Sequence, residues 1–244
     1  NRRTAENLKK AIEQFKAAGL QPGGDKKDGQ RGWTQAVPLE KSQIKGPVTA
    51  SISINGKPQV LQQGEQIAIR AAMNGQSEIM VKDAPVVFVG YGVNAPERGW
   101  DDFRGVDLKG KIAVVLINDP DFETGQGEFG GKAMTYYGRW TYKFEEMARR
   151  GAAGTLIVHE TAPASYGWPT VKNSNTNVMF DIVREDPSKA HAPLEAWIQR
   201  DFAVSLFQQA GLDFEALKVS AQKNDFKPVK LDGVGFSASF AVDV

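Results

Sequence analysis

The sequence contains no cysteine and only two histidines, His159 and His191, among its 244 residues. The absence of cysteine excludes disulfide bonds, thiolate-bound zinc, iron–sulfur clusters and cysteine nucleophiles. It leaves the compartment open, because a cysteine-free chain suits both the cytoplasm and the periplasm. No apolar run approaches the roughly 18 residues of a membrane span, and the polar first ten residues do not resemble a signal peptide.

The sequence also has no surplus of one charge. Its net charge of +1 predicts neither a nucleic-acid partner nor a membrane surface. Hydrophobic residues make up 41% and charged residues 24% of the chain, which indicates a globular protein of one large domain or two small ones. Because the sequence does not begin with Met, we expect it to be a piece of a longer chain.

The first third is predicted to be a helix followed by short strands. Apolar residues at helical spacing predict a helix over residues 4–18, with Thr4 as its N-cap and Gly19 as its end. Residues 33–70 change to an alternating pattern, and the Asn-Gly pair at 55–56 is a strong hairpin signal.

The middle of the chain predicts a strand–helix–strand unit. Pro85–Val93 and Lys111–Asp119 are too apolar for one face to meet solvent, so we expect two central strands of a sheet covered on both sides. Residues 135–151 have helical periodicity, and the strand 155–160 follows. This order is typical of a βαβ-like unit.

The last third is predicted to be mixed. We expect a strand at 177–183, one or two helices within 196–222, and a final strand over 229–244. Gly211 is the expected end of the first helix, and Asp213 is the expected cap of the next.

The pair His159–Glu160 resembles the start of a zinc-protease motif. That motif needs a second histidine four residues later on a helix, and here the position holds Pro163 after a strand. We therefore interpret His159 as a structural residue at a strand end.

Other motifs fall short in the same way. There is no Gly-x-Ser-x-Gly elbow, and the polar segment 172–177 has no evident base for its serine. The pairs Asp101–Asp102 and Glu145–Glu146 lack the spacing of a calcium loop. The glycine-rich segments match neither a Walker motif nor a dinucleotide fingerprint.

One cluster of aromatic and cationic residues remains, at the start of the predicted middle helix. Such residues form recognition surfaces, and they equally form a core with a polar rim. Helical phase places Tyr136, Trp140 and Phe144 inward and leaves Tyr137 and Arg139 outward.

A family resemblance rests on residues 86–120 and 134–160. The first segment carries Gly-Tyr-Gly, Trp-Asp-Asp-Phe, Asp-Leu-Lys-Gly-Lys and a buried Ile-Ala-Val-Val-Leu strand. Together the segments resemble the protease-associated domain inserted in zinc-dependent aminopeptidases of the family that includes glutamate carboxypeptidase and bacterial leucyl aminopeptidases. The opening helix resembles the segment that precedes the insertion, and residues 231–244 resemble the strand that leads back into the peptidase.

The resemblance implies a catalytic domain outside this sequence. In that family the catalytic domain binds two zinc ions, and the first ligand lies in a His-x-Asp motif. Neither His159 nor His191 lies in such a motif, so no zinc ligand carries over and we expect no cofactor in this chain. Zinc is implied for the missing domain only.

The expected fold is mixed α/β, with a β-rich, swivelling β/β/α-like protease-associated domain and flanking helix and strands. We place the domain boundaries at 1–83 for the N-terminal flank, 84–181 for the protease-associated core, and 182–244 for the closing helices and return strand. The strands in 37–70 and 229–244 are expected to pair, because the resemblance has both leave and re-enter one missing domain.

The expected function is that of a non-catalytic module, periplasmic or secreted, that covers the active-site cleft of an aminopeptidase and helps select or admit peptides. Its partners would be the catalytic domain and the peptide substrate, with self-association in isolation. Two alternatives stay open: a free-standing protein-interaction domain, and an enzyme that uses carboxylates alone, such as a glycosidase-like pair. The expected substrate- or partner-facing residues are Tyr136, Tyr137, Arg139, Trp140, Asn173 and Asn175.

Overall fold

The computed structural model describes residues 2–244 and the side chains from residue 3 onward. The chain forms a first compact unit that ends at Leu39 and a second compact unit, Glu40–Val244. No helix within the described residues is long and apolar enough to cross a membrane. The helices are α1 (Arg2–Ala17), α2 (Trp140–Arg149), α3 (Thr161–Ala164), α4 (Trp168–Asn175), α5 (Arg200–Gln209) and α6 (Phe214–Ala221). The strands are β1 (Lys26–Lys27), β2 (Gln30–Arg31), β3 (Leu39–Ile54), β4 (Lys57–Val60), β5 (Ile67–Ile69), β6 (Glu78–Phe88), β7 (Asn94–Ala95), β8 (Trp100–Asp101), β9 (Ile112–Leu116), β10 (Gly154–His159), β11 (Met179–Ile182), β12 (Leu194–Gln199) and β13 (Val229–Asp243).

The first unit contains α1 and the small β1–β2 hairpin. The helix ends as predicted: Gly19 has a left-handed φ of 76°, and the N–H of Leu20 donates to the carbonyl of Phe15 over 3.1 Å. The prediction of Thr4 as N-cap is wrong, because α1 begins two residues earlier and Thr4 lies in its first turn. On the apolar stripe, Leu8 and Phe15 are each 49% exposed.

The second unit is built on one sheet with the strand order β11-β3-β13-β6-β9-β10-β12-β5, and β4 adds to β3. The expected pairing of the two flanking segments is confirmed, because β3 and β13 run antiparallel from Val234 opposite Ile54 to Asp243 opposite Gln43. A β3–β4 hairpin closes at the predicted Asn55-Gly56 turn, where both residues have positive φ.

The two expected central strands are present as β6 and β9, although β6 begins earlier than predicted and ends at Phe88 instead of Val93. β6, β9, β10 and β12 are neighbouring parallel strands whose side chains alternate between two apolar cores. α5 and α6 cover one face and α2 and α4 cover the other, so both faces are buried and the strands are apolar throughout. The first core includes Phe88, Val114, Leu156, Phe207 and Phe214, and the second includes Val115, Ile157, Phe144, Met147 and Val171.

The middle helix is shorter than predicted. α2 starts at Trp140, and Tyr136–Gly138 form a short 3-10 turn instead. The N–H of Asn118 donates to the carbonyl of Gly138 over 3.1 Å, which holds this turn against the end of β9. Arg139 is then extended before the helix begins. The inward phase predicted for Tyr136 is therefore wrong.

The fold class is confirmed as mixed α/β, with a β-rich domain flanked by a helix and strands. In the last third, α5 and α6 confirm the two helices, with Gly211 after the first and Asp213 accepting from the N–H of Ala216 as the cap of the second. The domain boundaries at 83/84 and 181/182 remain a prediction.

Candidate functional site

The carboxyl ends of β6, β9, β10 and β12 lie at one edge of the sheet, because these strands are parallel. The crevice beyond such an edge is the usual place of a binding site in open α/β sheets. Every predicted site residue lies in a segment that follows one of these strands. Residues 136–140 follow β9, and Asn173 and Asn175 follow β10.

Tyr136 and Tyr137 form an aromatic surface on the connection after β9. Tyr136 is 58% exposed, and its hydroxyl donates to Oε2 of Glu145 over 2.6 Å. Tyr137 is half-buried, and its hydroxyl donates to Oε1 of Glu97 over 2.8 Å. Both rings meet the edge of Tyr142, at centroid distances of 5.6 and 5.1 Å. The tyrosines are therefore fixed in position while part of each ring faces solvent.

Arg139 and Trp140 lie next to each other but point to different surroundings. Arg139 is exposed, and none of the described residues pairs with its guanidinium. The ring of Trp140 is instead covered by the guanidinium of Arg70, 4.8 Å from its centroid. Arg139 is thus available to a ligand, whereas Trp140 is committed to packing on a buried cation.

Arg70 belongs to a chain of charges that reaches the second histidine. Its Nη1 lies 3.3 Å from Oε2 of Glu195, and both residues are buried. The other oxygen of Glu195 accepts from Nδ1 of His191 over 2.8 Å, and Nε2 of His191 donates to Asp181 over 2.8 Å. Burial lowers the pKa of His191, but the hydrogen bonds and charges of the two carboxylates outweigh it and raise the pKa above its ordinary value.

Asn173 and Asn175 lie on the last turns of α4. Asn173 is exposed. Asn175 is buried, and its amide donates to the carbonyl of Val171 over 2.7 Å. Of this pair, only Asn173 presents its side chain to solvent.

A buried charged cluster lies beneath the edge. Lys143 is fully buried on α2, and its ammonium donates to the carbonyl of Tyr91, just beyond β6. It interacts electrostatically with two buried carboxylates, Asp102 and Asp119. Burial lowers the pKa of Lys143 and raises that of Asp102, and the attraction between the two opposes both shifts. Oδ1 of Asp119 has no hydrogen-bond partner among the described residues.

His159 and Glu160 lie in a cleft of about 450 Å³ where β10 and β12 end. Glu160 accepts through Oε1 from Nζ of Lys218 at 2.9 Å and from Nε of Arg200 at 3.3 Å. Nε2 of His159 donates to the carbonyl of Tyr166 over 2.8 Å. Within residues 2–244, no group of three or more histidine, cysteine, aspartate or glutamate side chains is placed to hold a metal ion.

Sequence reasoning missed this cleft because its charged partners are distant in the chain. Lys218 comes from α6, 58 residues beyond Glu160, and Arg200 begins α5, 40 residues beyond. The one local signal was the polar pair at the end of an apolar strand. This pair lies at the cleft because β10 pairs in parallel with β12, and no local sequence pattern indicates that pairing.

Among solved structures, the chain is similar to an aminopeptidase from Aneurinibacillus sp. strain AM-1, with a TM-score of 0.36 and 15% sequence identity. The similarity covers 98% of this chain, which spans 38% of the length of that aminopeptidase. No protein-family model matches the chain, and no curated protein matches its sequence.

Proposed function

We propose that this chain is a non-catalytic, protease-associated module of a zinc-dependent aminopeptidase that is secreted or periplasmic. In this role it covers the active-site cleft of the parent enzyme and helps select or admit peptides. The zinc belongs to the catalytic domain of that enzyme. Support comes from the motif-bearing segments 86–120 and 134–160. They include the end of β6, all of β9 and β10, which are neighbouring central strands of the sheet, and the helix α2.

The observation that carries the peptide role is the exposed guanidinium of Arg139, which no described residue pairs and which closely follows two fixed tyrosines in the chain. A guanidinium binds a carboxylate through two parallel hydrogen bonds. The tyrosines add amphipathic contact area with little conformational entropy to lose. Arg139, Tyr136 and Tyr137 are therefore the residues that would receive the carboxylate end of a peptide.

Peptide binding tests this role directly. We expect a tripeptide with a free carboxylate to bind, and its C-terminal amide to bind about tenfold more weakly, since a charge-assisted hydrogen bond contributes about 1.5–3 kcal/mol. Arg139→Gln should weaken binding of the free carboxylate by the same factor. Lys227→Gln, which removes an exposed charge before β13, is the control. Equal affinity of the two peptides for the unaltered chain would contradict the role of Arg139.

The non-catalytic assignment has its own test. The purified chain is incubated with aminoacyl-nitroanilide substrates with and without added zinc, and we expect no turnover in either case. Zinc-dependent turnover by this chain alone would overturn the module proposal. It would leave the carboxylate-binding test of Arg139 unaffected, so the two failures are distinguishable.

A second candidate function is a free-standing protein-interaction domain. The observation that favours it is the apolar stripe of α1, where Leu8 and Phe15 are half exposed. If the stripe binds a second copy, sedimentation should show a dimer that Leu8→Gln with Phe15→Gln converts to a monomer.

A further inference from the structure

The cleft at the ends of β10 and β12 has polar and apolar walls. His159 ends β10 and Glu160 follows it, while Gln199 ends β12 and Arg200 begins α5. The apolar lining of the cleft comes from Trp168 of α4 and from Ala162 and Pro163 of α3. The volume of about 450 Å³ falls in the range of small-ligand sites.

His159 presents a hydrogen-bond acceptor to this cleft. The carbonyl of Tyr166 can only accept, so Nε2 of His159 carries the proton of that bond. Burial lowers the pKa of the ring, which favours the neutral form with a lone pair on Nδ1. Although His159 is only 5% exposed, no described residue bonds to Nδ1, and that atom is not among the fully buried unpaired ones. His159 lines the cleft, and Nδ1 is the ring nitrogen left to accept a hydrogen bond from a ligand there.

Two further residues that line the cleft each keep an acceptor without a donor. Both cations that bind Glu160 use Oε1, so Oε2 has no donor among the described residues. The amide nitrogen of Gln199 donates to the carbonyl of Glu65 over 2.7 Å, which leaves its Oε1 without a donor. The cleft therefore offers one aromatic nitrogen and two oxygens that lack donors.

The charge balance selects a cation. Lys218 lies between Glu160 and Glu123, at 2.9 and 2.7 Å. Arg200 lies against Glu160, Glu215 and, at 4.0 Å, Asp201. Three of these carboxylates line the cleft, Glu123, Glu160 and Asp201; they outnumber its two cations, and both cations are already paired. An anionic ligand would meet a surplus of negative charge, whereas a cationic donor would meet unused acceptors.

We infer that this cleft binds a primary ammonium group. An ammonium has three N–H donors, which match the acceptors on His159, Glu160 and Gln199. The ring of Trp168 gives the adjoining carbon atoms an apolar wall and the cation an aromatic face. A quaternary amine lacks the donors. Two sources carry this group, the N-terminus of a peptide and the side chain of lysine. The inference does not depend on the proposed peptidase module.

Nuclear magnetic resonance titration of the full chain tests the inference with four probes. They are trialanine amide with a free N-terminus, the same peptide N-acetylated, Nα-acetyl-lysine amide, and trimethyl-glycine amide, in which the amine is quaternary. We expect trialanine amide to shift the tryptophan indole signals and the acetylated and quaternary probes to bind at least about tenfold more weakly. Binding of the lysine probe with equal affinity identifies any primary ammonium as the ligand. Weaker binding of that probe identifies the peptide N-terminus.

Substitutions separate the acceptor from the charge. Glu160→Gln keeps an oxygen for Lys218 and Arg200 but places an NH₂ donor toward the ligand, so trialanine amide should bind about tenfold more weakly. Asp232→Asn removes the same charge outside the cleft, where its side chain is 85% exposed, and should change affinity less than about twofold. If Glu160→Gln fails to fold, Gln199→Met tests a second acceptor.

Three outcomes would overturn the inference: equal binding of the free and acetylated peptides, equal losses for Glu160→Gln and Asp232→Asn, or tight binding of zinc chloride that trialanine amide does not displace. A zinc complex would show that His159 and the carboxylates take a metal instead of an ammonium. Because the peptide probes carry an amide in place of the C-terminal carboxylate, Arg139 has no carboxylate to bind in this experiment. A negative result here therefore does not bear on the proposed function.

Discussion

Nδ1 of His191 lies 2.8 Å from Oε1 of Glu195, and this bond ties the segment before β12 to the strand itself. Nε2 of the same ring reaches Asp181 of β11, also at 2.8 Å. Because both ring nitrogens face carboxylates, the charged imidazolium satisfies both bonds at once. The ring thus joins two strands that lie at distant positions in the sheet order.

His191 should make stability depend on pH. Its pKa is raised in the folded state above the ordinary 6.5, so its contribution is complete below pH 6.5 and is lost as pH rises through the folded pKa. We expect His191→Gln to lower the free energy of unfolding by about 1–3 kcal/mol near pH 5 and by less near pH 9. Urea unfolding at a series of pH values measures this.

His159 supplies the control for that experiment. Its pKa is lowered by burial, so protonation in the unfolded chain destabilises the fold as pH falls through 6.5. His159→Gln should therefore remove a slope of the opposite sign. If His191→Gln shifts stability equally at all pH values, the imidazolium does not make the contribution described.

Trp140 and Tyr136 were both expected to face a substrate, but substituting them should lower the free energy of unfolding by different amounts. Trp140 covers the buried guanidinium of Arg70, so Trp140→Ala should lower the free energy of unfolding by about 2–4 kcal/mol. Tyr136 is mostly exposed, and Tyr136→Phe should cost less than about 1 kcal/mol. Trp140→Phe retains an aromatic face and should recover part of the loss. Equal losses for Trp140→Ala and Tyr136→Phe in thermal unfolding would contradict this separation.

The central strands were predictable because apolar runs such as Lys111–Asp119 fit only a strand covered on both faces. β12 was not predictable. Its sequence, Leu-Glu-Ala-Trp-Ile-Gln, runs directly into α5, and a short apolar run fits a helix and a strand equally well. The phase error at Tyr136 arose from a tertiary contact, the bond from Asn118 to the carbonyl of Gly138. The cleft could not be predicted from the sequence for the same reason. Its contact between Glu160 and Lys218 forms only when α6 packs on the sheet.

Gly138 should tolerate no side chain. A Cβ at this position would lie 2.8 Å from Cγ of Met134 and 3.1 Å from the carbonyl carbon of Asn118. Gly138→Ala should therefore lower the free energy of unfolding by about 1–3 kcal/mol and shift the Tyr136–Tyr137 surface. Gly23→Ala meets nothing within 4 Å and is the control, with an expected change within about 0.5 kcal/mol. Unchanged melting of Gly138→Ala would show that the turn moves freely.

The charge of Lys143 should stabilise the fold because it compensates the buried carboxylate of Asp102. Lys143→Met leaves Asp102 buried without its cation and should cost about 3–5 kcal/mol, because an uncompensated buried carboxylate is costly. Adding Asp102→Asn removes that carboxylate, so the double variant should lose less than the sum of the two single variants. Lys109→Met, an exposed lysine, should change stability within about 0.5 kcal/mol. Urea unfolding of the unaltered protein, the two single variants Lys143→Met and Asp102→Asn, and the double variant gives a double-mutant cycle. Strict additivity would show that Lys143 acts by packing its methylene chain and not by compensating Asp102, since only an interaction between the two charges makes one substitution lessen the cost of the other.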